Sequence, residues 1–301
     1  MTLQVTTKIN LFIQRMTESD EQAQWGFSLL LKRTDYEEFF DILNEAGLFS
    51  PEHNPGPAPA DQPGYVHIPF WYALNYLEAV SKVAGERNDH LLADKVMNVV
   101  RSVSRAREHD GSIRDNYHTY RMFAEILGNV PISAVSVDDL ELIPSWLNSK
   151  YERGLVGSAL DTGIIKKLLA SNAPEDWEKA CLILQHCTVI RWVDEKGLGD
   201  DRKKPVTVVD DYWLKELIQH HAAAFGAKAG ITAAEIFLDR LRDIFGKQGR
   251  LGASCLSRPA IEDHDQNHSW DGPTNCFVEG LRDVLLAWVD QDAPTAKQYI
   301  L

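Results

Sequence analysis

Helix-start and helix-stop signals recur at short intervals along this chain, and they restrict its fold more than any other feature. Amphipathic stretches follow one another from Asp20 to Trp288, with few persuasive strands between them. Three of them open on a capping-box pattern: Ser19-Asp-Glu-Gln22, Thr34-Asp-Tyr-Glu37 and Thr232-Ala-Ala-Glu235. In each, the hydroxyl can accept from an exposed backbone N–H while the Glu or Gln side chain reaches back to the cap. Gly47, Gly85 and Gly128 supply stops, because glycine takes up the left-handed conformation that closes many helices. The pattern predicts an all-α chain, a stacked helical array.

The expected helices follow from apolar spacing. The first covers about Asp20–Lys32, and the second, Asp35–Ala46, carries Phe39, Phe40 and Leu43 on one side. Phe49–Pro69 holds Pro51, Pro55, Pro57, Pro59, Pro63 and Pro69. Proline lacks the donor a helix or central strand needs, so a long loop over about 49–69 is predicted, either a rigid strap or a recognition loop. Tyr65, Phe70 and Trp71 would pin its ends and are candidate binding residues. Beyond it, Leu74, Leu77, Val80 and Ala84 share one helix face, and Leu92, Val96, Val99 and Val103 share another within Asn88–Arg107. Further helices are expected at Arg114–Leu127, Val137–Leu147 with Ser136 and Asp139 at its start, and Leu160–Ala170. Another begins at Pro174 and runs through about Val193. Asp194–Pro205 reads as a loop. Asp210–Phe225 and Thr232–Phe245 then form an antiparallel pair joined by Gly226–Gly230. Leu251–Ile261 suits a short strand or irregular turn, and Thr274–Trp288 is helical again. Helix pairs thus recur at roughly 35–45 residues, the range of helical solenoids.

One helical-array domain over residues 1–301 is expected, with a sub-boundary near 194–206. The chain closes on Pro294-Thr-Ala-Lys-Gln-Tyr-Ile-Leu301. Ile300 and Leu301 read as an apolar face cut off, so a protein partner or a further C-terminal region is expected to pack there. No apolar run reaches membrane-spanning length, and the first residues lack the form of a secretory leader. A cytoplasmic location without membrane association is the expectation.

The formal net charge of −13 argues against nonspecific binding of nucleic acid, which draws on clustered Lys and Arg. A local exception runs through Arg101, Arg105, Arg107, Arg114 and Arg121. Arg101 and Arg105 are four apart on one helix face, but Glu108, Asp110 and Asp115 interrupt the field. Cys181, Cys187, Cys255 and Cys276 are scattered without a C-x-x-C pair, so neither a zinc knuckle nor a disulfide framework is predicted.

The most polar cluster is Glu262-Asp-His-Asp-Gln-Asn-His268. His264 and His268 would share a helix face, as metal-binding pairs do, yet the zincin pattern H-E-x-x-H is absent. The alternative is a structural network in which Glu262 or Asp263 faces Arg258 or Arg282, with His264 and Asn267 hydrogen-bonded beside them. His220 and His221 fall on the helix Asp210–Phe225, where His221 lies near the apolar face and reads as a satisfied core residue. His186 and Cys187 are neighbours and do not face each other in a helix. Asp210 and Asp211 suit a helix N-terminus. The chain has no P-loop, no G-x-G-x-x-G and no G-x-S-x-G. No catalytic residue, metal or cofactor is assigned.

The block Phe39-Phe-Asp-Ile-Leu-Asn-Glu-Ala-Gly-Leu-Phe49, the proline-rich strap and Ile68-Pro-Phe-Trp-Tyr-Ala-Leu-Asn-Tyr-Leu77 resemble segments of large bacterial proteins with HEAT-like helical regions. So do Arg258-Pro-Ala-Ile-Glu-Asp-His-Asp-Gln-Asn267 and Leu281-Arg-Asp-Val-Leu285. Some relatives in that group attach such a region to an ATPase or another effector, in settings suggestive of anti-phage defence. The resemblance implies a HEAT-like solenoid acting as a non-enzymatic scaffold or sensor that binds protein. Two alternatives stand beside it: a metal-assisted hydrolase using Glu262–His268, and a nucleic-acid-binding solenoid using the Arg101–Arg121 face.

Overall fold

A computed structural model describes residues 3–50, 71–109, 119–148, 153–194, 203–247 and 272–300. The described chain is helical apart from one two-stranded sheet. It divides into two compact units, Met1–Glu152 and Arg153–Leu301. Among the described residues no helix is long and apolar enough to cross a membrane.

The first unit opens on a helix that lies ahead of the first one expected, α1 (Leu3–Met16). It packs on α2 (Asp20–Leu30), where Ile13 and Met16 are buried and Met16 fills the space beside Gly26. Ser19 caps α2 by accepting from the Gln22 N–H at 3.3 Å. The reciprocal half of the box is missing, because the Gln22 side chain accepts from Arg15 at 2.8 Å. The box expected at Thr34 does not form. Asp35 takes the cap position without a side-chain cap and pairs with Arg33 instead, and a 3-10 turn, Tyr36–Phe39, leads into α3 (Phe40–Glu45). Gly47 ends α3 as predicted. At φ 75° it lets Leu48 N–H reach the Leu43 carbonyl and its own N–H reach that of Asn44, the paired bonds of a Schellman stop.

Helices α4 (Trp71–Glu86) and α5 (His90–His109) bury the faces predicted for them. Leu74, Leu77, Val80 and Ala84 are fully buried, and so are Val96 and Val103. Each large apolar side chain removed from water contributes about 1.5–3 kcal/mol. Phe27, Phe40, Phe49 and Tyr76 form an aromatic cluster, with Phe49 stacked on Tyr76 at 5.9 Å and Phe40 5.2 Å from Phe49. The Tyr76 hydroxyl donates to the Tyr36 carbonyl at 2.7 Å, which satisfies its buried polar end. After α6 (Thr119–Asn129), the helix expected at Val137–Leu147 is two short ones, α7 (Val137–Leu140) and α8 (Ile143–Leu147). Pro144 lies in the first turn of α8, where its missing N–H costs no helical bond.

The second unit begins with α9 (Arg153–Leu160), a π segment (Asp161–Ile165) and α10 (Lys166–Ala170), which form one run. Then α11 (Pro174–Cys187) opens on its proline with Glu175 and Asp176 in the first turn, as predicted. It stops at Cys187 rather than near Val193. The β-branched residues that follow fit a pleated strand better than a helix, and β1 (Ile190–Asp194) pairs antiparallel with β2 (Lys203–Thr207), Ile190 opposite Thr207. Residues 203–205, expected as loop, are thus strand, and the segment 194–206 lies inside the second unit.

Helix α12 (Asp211–Lys247) runs through the expected Gly226–Gly230 connection and breaks at a single residue, Ala229 (φ −138°, ψ 40°). Thr232 therefore sits within a helix rather than ahead of one. The chain still doubles back. Along α13 (Gly272–Gln291), Asp211 lies against Gly272 and Cys276, and Gly226 lies against Val284. Gly230 then meets Trp288, and Phe237 returns to Gly280 and Phe277. The two limbs therefore run in opposite senses on one supporting helix. A short α14 (Ala293–Ile300) follows.

Candidate functional site

Asp161 opens the π segment of the α9–α10 run. A π turn widens a helix by one residue, and such segments are frequent at functional sites. The first limb of α12 brings His220 and His221 to this carboxylate from 59 and 60 residues away. His220 Nδ1 lies 2.8 Å from Oδ2. His221 Nε2 lies 2.6 Å from Oδ1 and donates to the Asp161 backbone carbonyl at 3.1 Å. The Asp161 side chain is 5% exposed and that of His220 50%, so one imidazole faces the solvent while the acid beneath it does not.

Burial pushes the Asp161 carboxyl up, but hydrogen bonds from His221 and His220 outweigh it and hold the group below the ordinary carboxylate range. Asp161 is therefore an anion at neutral pH and accepts only. That fixes His220 as donor through Nδ1 and turns Nε2 outward. Among the described residues the nearest carboxylate oxygen to Nε2 is Glu216 Oε2 at 3.8 Å, beyond hydrogen-bond reach. Beside it opens a cleft of about 520 Å³ walled by Leu169, Ala170 and Ala224, with Thr162 and Lys166 at its edge. Burial and the Asp161 charge push the nearby Cys187 thiol up to about 12, so that thiol is no nucleophile at neutral pH.

His221 is the satisfied core histidine that its position on the apolar face predicts, at 8% exposure. Its partner was not singled out in the sequence, although a signal exists. Asp161, Ile164, Ile165 and Leu168 follow the i, i+3, i+4, i+7 spacing of a buried stripe, and a carboxylate on such a stripe requires a partner.

The first unit carries an open apolar groove between α1, α2 and the 3-10 turn. About 430 Å³ is enclosed by Ile9, Phe12, Leu29, Leu30 and Phe39, with Lys8 and Arg33 on its margin. Leu29 in its wall and Trp25 beside Phe12 are 38% and 41% exposed. Trp25 leans on Phe12 at 5.6 Å, and the Arg15 guanidinium lies 5.0 Å over its ring. Helix α1 has Lys8 and Arg15 and no carboxylate.

The residues singled out from sequence are placed as follows. Arg101 does not project into a basic field: its Nε and Nη2 hold both oxygens of Asp139 at 2.6 and 2.8 Å. Arg105 is exposed on α5, and Arg121 faces Glu125 at 3.7 Å. Trp71 opens α4, while Tyr65 and Phe70 lie outside the described residues. So do Arg258, Glu262, Asp263, His264, Asn267 and His268. Arg282, expected to face Glu262 or Asp263, donates to Asp283 at 2.8 Å. Ile300 ends α14, and Leu301 lies outside the described residues. Among the described residues no group of three or more His, Cys, Asp or Glu is arranged to hold a metal. Comparison with family models, curated proteins and solved structures returned no match, so the residues and their geometry carry the functional argument.

Proposed function

We propose that this chain is a cytoplasmic helical scaffold, HEAT-like in its stacked pairs, that docks a protein partner through the groove of its first unit. Support for stacking comes from α4, which packs against both its neighbour α5 and its next neighbour α6, as helices in layered arrays do. The observation that carries docking is the open apolar groove lined by Ile9, Phe12, Leu29 and Phe39, with Leu29 38% exposed and the 41% exposed Trp25 leaning on Phe12. Contiguous exposed apolar surface with a polar margin marks interaction sites. The occupant is an amphipathic helix with acidic flanks. Its apolar residues meet Phe12 and Leu29, and its carboxylates meet Lys8 and Arg15, cations within a chain of net charge −13. The resemblance to defence-associated helical regions makes an effector module of a bacterial defence system the natural bearer of that helix.

Affinity purification from the host with wild type and Leu29→Glu tests this reading. Leu29 is 38% exposed, so the variant should fold. The expected result is a stoichiometric partner carrying an acidic amphipathic helix, lost from the variant and weakened by salt. Identical partners on both proteins, or none on either, sink the proposal.

A further inference from the structure

The cleft of the second unit presents an imidazole nitrogen that the fold does not use. Asp161 holds His220 by Nδ1 at 2.8 Å, and among the described residues Nε2 has no hydrogen-bonding partner, Glu216 being 3.8 Å away. A buried carboxylate that fixes one ring nitrogen and leaves the other exposed makes an oriented base. The cleft around it is lined by the apolar Leu169, Ala170 and Ala224 and by Lys166. We propose that this cleft is a hydrolytic acid–base site for a small uncharged ester, with His220 as base and Asp161 as its positioning residue. It is a capacity additional to docking and lies in the other unit.

The substrate class follows from the charges. Asp161 and Glu216 flank His220 and disfavour an anion at Nε2. The wall suits an apolar acyl or alkyl body. Lys166 is the cation available to offset an oxyanion. Water attacks the ester carbonyl carbon, and a C–O bond forms as Nε2 takes a proton from that water. The tetrahedral intermediate then expels the alkoxide. Its C–O bond breaks, the imidazolium returns the proton to the leaving oxygen, and an acid and an alcohol result. Water is the only other reactant. Among the described residues, Asp161, Glu216, His221 and Lys166 are the charged or titratable groups around the base, with the Cys187 thiol close to Asp161.

The test uses the full chain and measures initial rates on 4-nitrophenyl acetate and 4-nitrophenyl butyrate across pH. Saturable turnover above that of free imidazole at equal concentration is expected. His220→Gln should lower kcat by roughly 10²–10⁴-fold, the contribution of a positioned base. His90→Gln, an exposed histidine of the first unit, should change nothing. Asp161→Asn should lower kcat with KM held; a merely structural role would not split kcat from KM in this way. If Asp161→Asn fails to fold, the half-exposed His220→Gln and Lys166→Met decide the matter. Equal rates for wild type and His220→Gln, or turnover that does not saturate, overturn the proposal.

Discussion

Among the described residues each unit buries one aspartate under its helices, and the two acids are held by different chemistry. Asp139 sits at the start of α7 with both oxygens occupied. Arg101 holds Oδ1 and Oδ2, and the Ser136 N–H and hydroxyl donate to Oδ2 at 2.8 and 2.7 Å. Asp161 has two imidazoles, one of them half in solvent. In both, burial raises the carboxyl and hydrogen bonding more than reverses it. The partners of Asp139 include a guanidinium that stays charged at every relevant pH. Those of Asp161 can gain and lose protons. A permanent cation makes a clamp, whereas an imidazole makes a site that can exchange protons.

The largest expected effect comes from breaking the clamp. Arg101→Met leaves Asp139, whose side chain is 1% exposed, as a buried charge without its counterion. Loss of one member of such a pair costs about 3–5 kcal/mol. Denaturant unfolding of Met1–Glu152 within the full chain should show that loss, and Arg101→Met/Asp139→Asn should recover part of it. A change below about 1 kcal/mol, the range of surface pairs, would show that Arg101 is an ordinary surface cation and would erase the contrast.

Asp161→Asn should cost less, about 1–3 kcal/mol, because it disturbs hydrogen bonds rather than stranding a charge. Acid titration sharpens the comparison. Both carboxyls are depressed on folding, so each contributes stability that is present above the unfolded value of about 3.9. That stability is lost as pH falls through the lower folded values. Unfolding midpoints measured from pH 6 down to pH 2 should fall less steeply in Asp161→Asn than in wild type. A parallel curve would mean that Asp161 gains nothing from its histidines. Ser136→Ala should cost about 1 kcal/mol, the usual value of a helix cap. It should also weaken the acid dependence that Asp139 contributes.

Much of this arrangement was legible in the sequence, and the parts that were not share a cause. Apolar spacing placed the buried faces of α4 and α5, and Gly47 marked a stop that the backbone takes at positive φ. Ser136 and Asp139 read as a helix start and form a full capping box. Local signals misled where a competing contact won: Gln22 is taken by Arg15, and Asp35 by Arg33. The strand pair Ile190–Asp194 and Lys203–Thr207 was read as the end of a helix and a loop, because the pairing joins two segments that are each weak alone. Asp161 went unread, and the Asp139 partner of Arg101 unforeseen, for the same reason. Their roles depend on partners 59 and 38 residues away, and helical periodicity says only that a face is buried, not what meets it.

The smallest expected effect is also the one that separates clamp from site most cleanly. His220→Gln removes a ring that is half exposed and bonded to the fold through one nitrogen. Glutamine can still donate to Asp161, and surface replacements commonly stay within about 0.5 kcal/mol. The unfolding midpoint should therefore barely move, while His221 keeps Asp161 company from the buried side. A stability loss as large as that of Arg101→Met would make His220 a second clamp, and the exposed Nε2 would then be incidental to a structural bond. A negligible loss means that the fold does not require this imidazole. The buried carboxylate beneath His220 then needs an explanation in what the ring does at the cleft.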